Sequence, residues 1–198
     1  MGWRTQKQMK QEDTTKLVEE AIESLFTRLI AGFIEFREDF KFRKVFSGDR
    51  LTNYNIICNA ADCPRVLGKG GERFRALRYL MERAGEKLNR QISLETMESP
   101  VVGKPKPFPK FRYNPKWPRK EVEKLLADTC EAVFTHPVKI ELRESMGSAI
   151  FVVKHSDREF PVNVAQVAVC LQNIFRGVGT TNGCQIAVDV GVDDSGEE

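Results

Sequence analysis

The chain has 198 residues, enough for one medium domain or two small ones of under about a hundred residues each. Hydrophobic residues at 41% with 30% charged exclude a disordered chain, and no apolar run reaches the ~18–20 residues of a membrane span. The net charge of +3 hides an uneven spread: residues 1–98 carry 18 basic and 15 acidic side chains, residues 99–120 seven and none, residues 121–198 six and 13. A basic front joined to an acidic back points towards a polyanionic partner. Met1 to Lys7 is polar, without the apolar core of a secretory signal, and Gly2 alone does not complete a myristoylation motif. The five cysteines include no Cys-x-x-Cys pair. Together these features are those expected of a cytoplasmic protein. With His136 and His155 as the sole imidazoles, neither a metal nor another cofactor is expected.

In chain order, residues 1–12 read as a tail. Leu17, Ala21, Leu25 and Leu29, with Val18, Ile22 and Phe26 beside them, then predict an amphipathic helix opened by Asp13 or Thr14. Ile34, Phe36, Phe40, Phe42, Val45 and Phe46 predict a strand with a bulge at Glu38-Asp39. A turn at Gly48-Asp49 leads to a second strand, Tyr54 to Cys58. A short helix, Ala60 to Leu67, runs into Gly68-Lys69-Gly70-Gly71. A longer helix follows, with Phe74, Leu77, Met81 and Ala84 on one face, and Ile92, Leu94 and Thr96 alternate as a last strand. The order is αββααβ.

Six of the nine prolines fall at 100, 105, 107, 109, 115 and 118, a density that excludes helix and central strand. Residues 99–118 therefore read as a basic, Pro-rich linker. After it the element order returns: a helix at Val122, Leu125, Leu126, Thr129 and Val133, strands at Lys139 to Leu142 and Ile150 to Val153, a helix at Val167, Cys170, Leu171 and Ile174, and a strand at Gln185 to Val190. A shift of 94 residues places Leu77 on Leu171, Leu80 on Ile174, Gly85 on Gly179, Gln91 on Gln185 and Ile92 on Ile186. Five matches in one register, inside one element order, predict a duplicated unit.

The segment Pro64-Arg65-Val66-Leu67-Gly68-Lys69-Gly70-Gly71, followed by Ala76-Leu77-Arg78, resembles the K-homology (KH) domain in its type II arrangement, as in small bacterial RNA-binding proteins. The resemblance covers residues 13–98. It implies an α+β fold of two tandem type II KH-like domains, residues 13–98 and 119–192, with an acidic tail at 193–198. It also implies that Gly68, Lys69, Gly70 and Gly71 hold the backbone of single-stranded RNA, with Arg78 matching an arginine of the family pattern. Elementary chemistry points the same way. Glycines let the backbone approach a ligand, and the helix that follows aims its positive dipole end at the same place. Arg65, Arg73 and Arg75 are additional charges beside the loop. Glu72 departs from the basic or polar residue often found there. No Lys-Ser or Lys-Thr follows with P-loop spacing, so the loop is not a nucleoside-triphosphate site.

The equivalent stretch of the second unit, Phe160 to Gln166, has neither glycine nor basic residue. That unit reads as a degenerate copy retained for packing, or as a surface for a protein partner or self-association. In the linker, Lys104, Lys106, Lys110 and Arg112 alternate with Phe108, Phe111, Tyr113 and Trp117. Such a pattern either binds single strands by stacking and charge or packs the linker onto a domain surface. No Ser/His/Asp or Cys/His pairing and no isolated carboxylate cluster is present, so no enzyme is expected. The sequence reads as a single-stranded RNA, and specifically mRNA, binding protein of post-transcriptional or translational regulation. The alternative is a protein–protein scaffold that uses KH-like folds for docking.

Overall fold

The structure, a computed structural model, describes residues 6–48, 50–98, 111–156 and 161–193. Among them, five α-helices and two three-stranded sheets make an α+β fold. The first half contains α1 (Gln6–Ala31), β1 (Lys41–Ser47), β2 (Leu51–Ile57), α2 (Cys63–Leu67), α3 (Glu72–Lys87) and β3 (Gln91–Glu98). The second half contains α4 (Arg119–Val133), β4 (Lys139–Ser145), β5 (Ser148–His155), α5 (Pro161–Asn182) and β6 (Gln185–Val192).

Helix α1 buries Ile22, Leu25, Phe26, Leu29 and Ile30, whereas Leu17 and Ala21, expected at the start of the apolar face, are exposed. It starts at Gln6 rather than at Asp13. The stretch before Leu17 has no apolar stripe, but it is free of Gly and Pro and rich in good helix formers, so propensity extends the helix beyond its buried face. The strand expected from Ile34 begins only at Lys41. Arg37–Asp39 instead form one turn of 3-10 helix, and the strand irregularity lies between Lys44 and Phe46. The cause is local: the backbone N–H groups of Glu35 and Phe36 donate to the Asp62 carboxylate at 3.0 and 2.8 Å, which keeps them out of a ladder.

In the first sheet the order is β1-β2-β3, with β1 antiparallel and β3 parallel to β2. The second sheet, β4-β5-β6, repeats that order and those directions. Its crossover differs. Residues 58–71 join β2 to α3, whereas residues 156–160 alone join β5 to α5. The described elements of the second half are αββαβ rather than αββααβ. Helix α5 has absorbed the stretch expected to match the glycine loop, opening at Pro161, where a missing N–H costs nothing.

The turn from long helix to last strand is the same in both halves. The Arg90 N–H donates to the Gly85 carbonyl and the Cys184 N–H to the Gly179 carbonyl, both at 2.9 Å. Asn89 and Gly183 each take positive φ, 55° and 77°. The helices fill the space between the sheets: α3 packs on both β3 and α5, and α5 on both α3 and β6. Buried residues of both halves form one continuous cluster. Lys87, at the end of α3, donates to the Glu131 and Phe134 carbonyls at 2.5 and 3.0 Å, capping α4 across the divide. Arg28 pairs with Asp128 at 2.8 Å. Thr181 and Asn182 donate to the Phe33 and Gly32 carbonyls at 3.2 and 3.3 Å. Among the described residues no helix is long and apolar enough to cross a membrane.

Candidate nucleic-acid interface

The Gly68–Gly71 turn lies between α2 and α3, and its backbone explains its composition. Gly68 has φ 71° and ψ −179°, a conformation open almost only to glycine. Gly70 (φ 58°) and Gly71 (φ 79°) are left-handed. A Cβ on Gly68 would stand 2.8 Å from Cβ of Arg73, whereas one on Gly70 would meet nothing within 4 Å. Gly70 therefore faces open space beside the exposed Lys69. Gly71 is the N-cap of α3, and no side chain caps that end. A sixteen-residue helix thus directs its positive dipole end towards an uncovered backbone turn. Glu72 opens the helix, where an acid suits the dipole.

The arginines divide sharply. Arg75 is exposed, and its Nη1 donates to the Gly70 carbonyl at 2.8 Å, bracing the turn from outside. Arg78 lies along the edge strand β3, its Nε and Nη2 donating to the Leu94 and Glu95 carbonyls at 2.7 and 3.0 Å, with its guanidinium 5.5 Å from the Phe74 ring centre. Arg65, expected to flank the ligand, is buried instead. Its guanidinium bridges Asp62 and Glu35, both at 2.7 Å, while Asp62 is fully buried and also holds the Glu35 and Phe36 amides. An Asp-x-x-Arg spacing across a helix start was the signal for this pair, which anchors α2.

Arg73 is also turned inward. It donates to the Asn173 carbonyl at 3.3 Å and to the Arg65 carbonyl, lies 5.1 Å from the Phe33 ring centre, and abuts Gly177. Burial, and then the charge of Arg176, pull its guanidinium down to about 10. The physical reason is α5: its C-terminal half packs on the start of α3 and leaves Arg73 only partly exposed. Arg176, exposed on α5, is the cation at this place that the sequence did not flag, because only the α3–α5 packing brings it there.

Of the linker residues, Lys104, Lys106 and Lys110 lie outside the described residues, as does the acidic tail beyond Asp193. Arg112 is exposed. The following segment is fastened to the second half: the Asn114 N–H donates to the Gly183 carbonyl at 2.8 Å, and Trp117 packs against the core. Tyr113 lies over Gly147 and is half exposed. Two of the linker aromatics are thus engaged in packing. The Arg112 backbone lies against Gly183, just beyond the C-terminal end of α5. Asp193 pairs with Lys139 at 2.6 Å. Compared with known proteins, the chain matches no family model, no curated protein and no solved structure.

Proposed function

We propose that the protein binds single-stranded RNA, mRNA in particular, through the Gly68–Gly71 turn, and that its halves are tandem type II KH-like units of which the second has lost the binding loop. The observation that carries this reading is the turn itself: three positive-φ glycines and an exposed lysine between two helices, at the uncapped start of α3. A phosphate there would meet backbone and positive charge with no side chain in between. Lys69 and Arg75 are the cations that face outward, and Arg78 runs along the neighbouring strand edge. Arg112, with Lys104, Lys106 and Lys110, would extend the phosphate path. Arg65 and Arg73 act from within, as supports of α2 and α3. The role is non-catalytic, in post-transcriptional or translational control in the cytoplasm.

The test is a double substitution, Lys69→Asp with Gly70→Asp. Two negative charges then stand where phosphates would lie, and the side chain at 70 enters open space. Aspartate tolerates left-handed backbone, so folding survives with a loss of about 1 kcal/mol. Affinity for short unstructured RNA should fall at least tenfold, about 1.4 kcal/mol, in a filter-binding or anisotropy titration at fixed salt. A folded variant that binds RNA as well as the parent would end this reading and favour a protein–protein scaffold.

A further inference from the structure

We propose that Cys58 and Cys63 form an oxidation site, in which a peroxide converts the two thiols into an intramolecular disulfide tying the end of β2 to the start of α2. Their sulfurs are 3.7 Å apart and share a hydrogen bond. The two differ in access: Cys58 is 1% exposed, whereas Cys63 is partly open and is the one cysteine of the five that is not buried. The backbone between them is fastened. Asn59 accepts from the Ala61 N–H at 2.9 Å and donates to Asp39, and Asp62 holds Arg65 and two amides. The sulfurs must close from 3.7 Å to the ~2.05 Å of a disulfide. This proposal does not rest on RNA binding.

The asymmetry assigns the roles. The thiolate is the nucleophile, and burial holds Cys58 as the thiol. Cys63, the more open of the two, is therefore oxidised first. Its thiol points at the Asn59 carbonyl 3.6 Å away, and once it is ionised the Cys58 S–H is left to donate to it. The Cys63 sulfur attacks one peroxide oxygen, the O–O bond breaks, and the departing hydroxide takes up the proton Cys63 released, leaving as water. The product is a sulfenic acid. The Cys58 sulfur then attacks the Cys63 sulfur, the S–O bond breaks, and the hydroxyl leaves as a second water with the Cys58 proton. Two thiols lose two electrons, and one peroxide becomes two waters. Because α2 runs directly into Gly68, the new bond stiffens the approach to the glycine turn.

The full chain, reduced and then treated with one equivalent of hydrogen peroxide, is alkylated and cut with trypsin. Both cysteines fall in the fragment of residues 51–65. That fragment should be recovered two hydrogens lighter, unalkylated, and restored by dithiothreitol. In Cys58→Ser the same treatment should leave a dimedone-reactive sulfenic acid at Cys63. In Cys63→Ser this fragment should stay reduced. Amide exchange at Val66 and Gly68 should slow several-fold in the oxidised wild type. Recovery of both thiols alkylated, a bond from either cysteine to a different one, or sulfinic acid at Cys63 in the wild type would overturn the proposal. The mapping uses the unaltered chain, so it stands even where a variant fails to fold.

Discussion

Gly85 and Gly179 occupy equivalent places, and in both a Cβ would collide with backbone that cannot give way. At Gly85 it would stand 2.7 Å from the Arg90 carbonyl oxygen, at Gly179 2.4 Å from that of Cys184. Each helix must pass this close to the strand that follows it, because the Arg90 and Cys184 amides bond back to these same glycines. Gly85→Ala and Gly179→Ala should each lower stability in urea by about 1–3 kcal/mol, the cost of overpacking. Gly70→Ala, with open space around it but positive φ, should lose only about 1 kcal/mol. If Gly70→Ala proved the most damaging of the three, the steric account would be wrong. The two tight glycines were legible in the sequence as a repeated spacing. The inward turn of Arg65 had a signal only in its spacing from Asp62, and that of Arg73 had none, because the α5 segment it meets lies a hundred residues away.

At the scale of elements, α1 is joined to the β1–β2 hairpin by a polar cluster under the sheet. The Glu19 carboxylate, 6% exposed, accepts from Lys44 at 2.9 Å and Thr52 at 3.0 Å and pairs with Arg90 at 2.5 Å. Burial alone would raise the Glu19 pKa, but the Lys44 and Thr52 hydrogen bonds and the Lys44 and Arg90 charges outweigh it and leave it lowered. Burial likewise opposes the charge of Lys44, but the hydrogen bond to Glu19 and the surrounding negative charge leave its pKa raised. The Glu19 contribution is therefore complete above its unfolded pKa of about 4.3 and vanishes as pH falls through the lower folded value. The Lys44 contribution is complete below about pH 10.4 and vanishes as pH rises through the higher folded value. Glu19→Gln should cost about 2 kcal/mol at neutral pH and flatten both flanks of a stability–pH curve measured by urea melts. Equal slopes in parent and variant would sink this assignment. None of it could be read from the sequence: Glu19 sits in a run of charges in an amphipathic helix, and only tertiary packing singles it out. Most element types were legible, since periodicity marks buried faces, but the 3-10 turn at Arg37–Asp39 reads as strand in the sequence. Element ends were not, as the polar start of α1 and the Pro161 start of α5 show.

For the whole molecule, a single buried cluster runs through both halves, with α3 against α5 at its centre. Thermal unfolding should be one cooperative transition, and amides of β2 and β5 should exchange with the same free energy of opening. Lys87→Ala removes the donor that caps α4 from α3 and should cost about 1–2 kcal/mol, lowering protection of both strands together. Protection lost in β2 but kept in β5 would show the halves to be independent. The strand order and directions of the two sheets agree with the repeat expected from the sequence, while the described second half has αββαβ in place of αββααβ. How the halves meet was hidden, because the helix faces that join them are as apolar as the faces that cover their own sheets.

Each sheet is completed from its own half, so no strand has to be recruited from beyond residues 99–110. Hairpins β1–β2 and β4–β5 close over a few residues, and the parallel strands join across one helix-bearing crossover in each half. Most of the loop-closure entropy is thus local, and only helix docking spans the long separation. That makes the junction the place where the chain can grow. Doubling the length of segment 99–110 would add only about 0.6 kcal/mol of closure entropy, so lineages of this protein could lengthen or recharge it without disturbing either sheet.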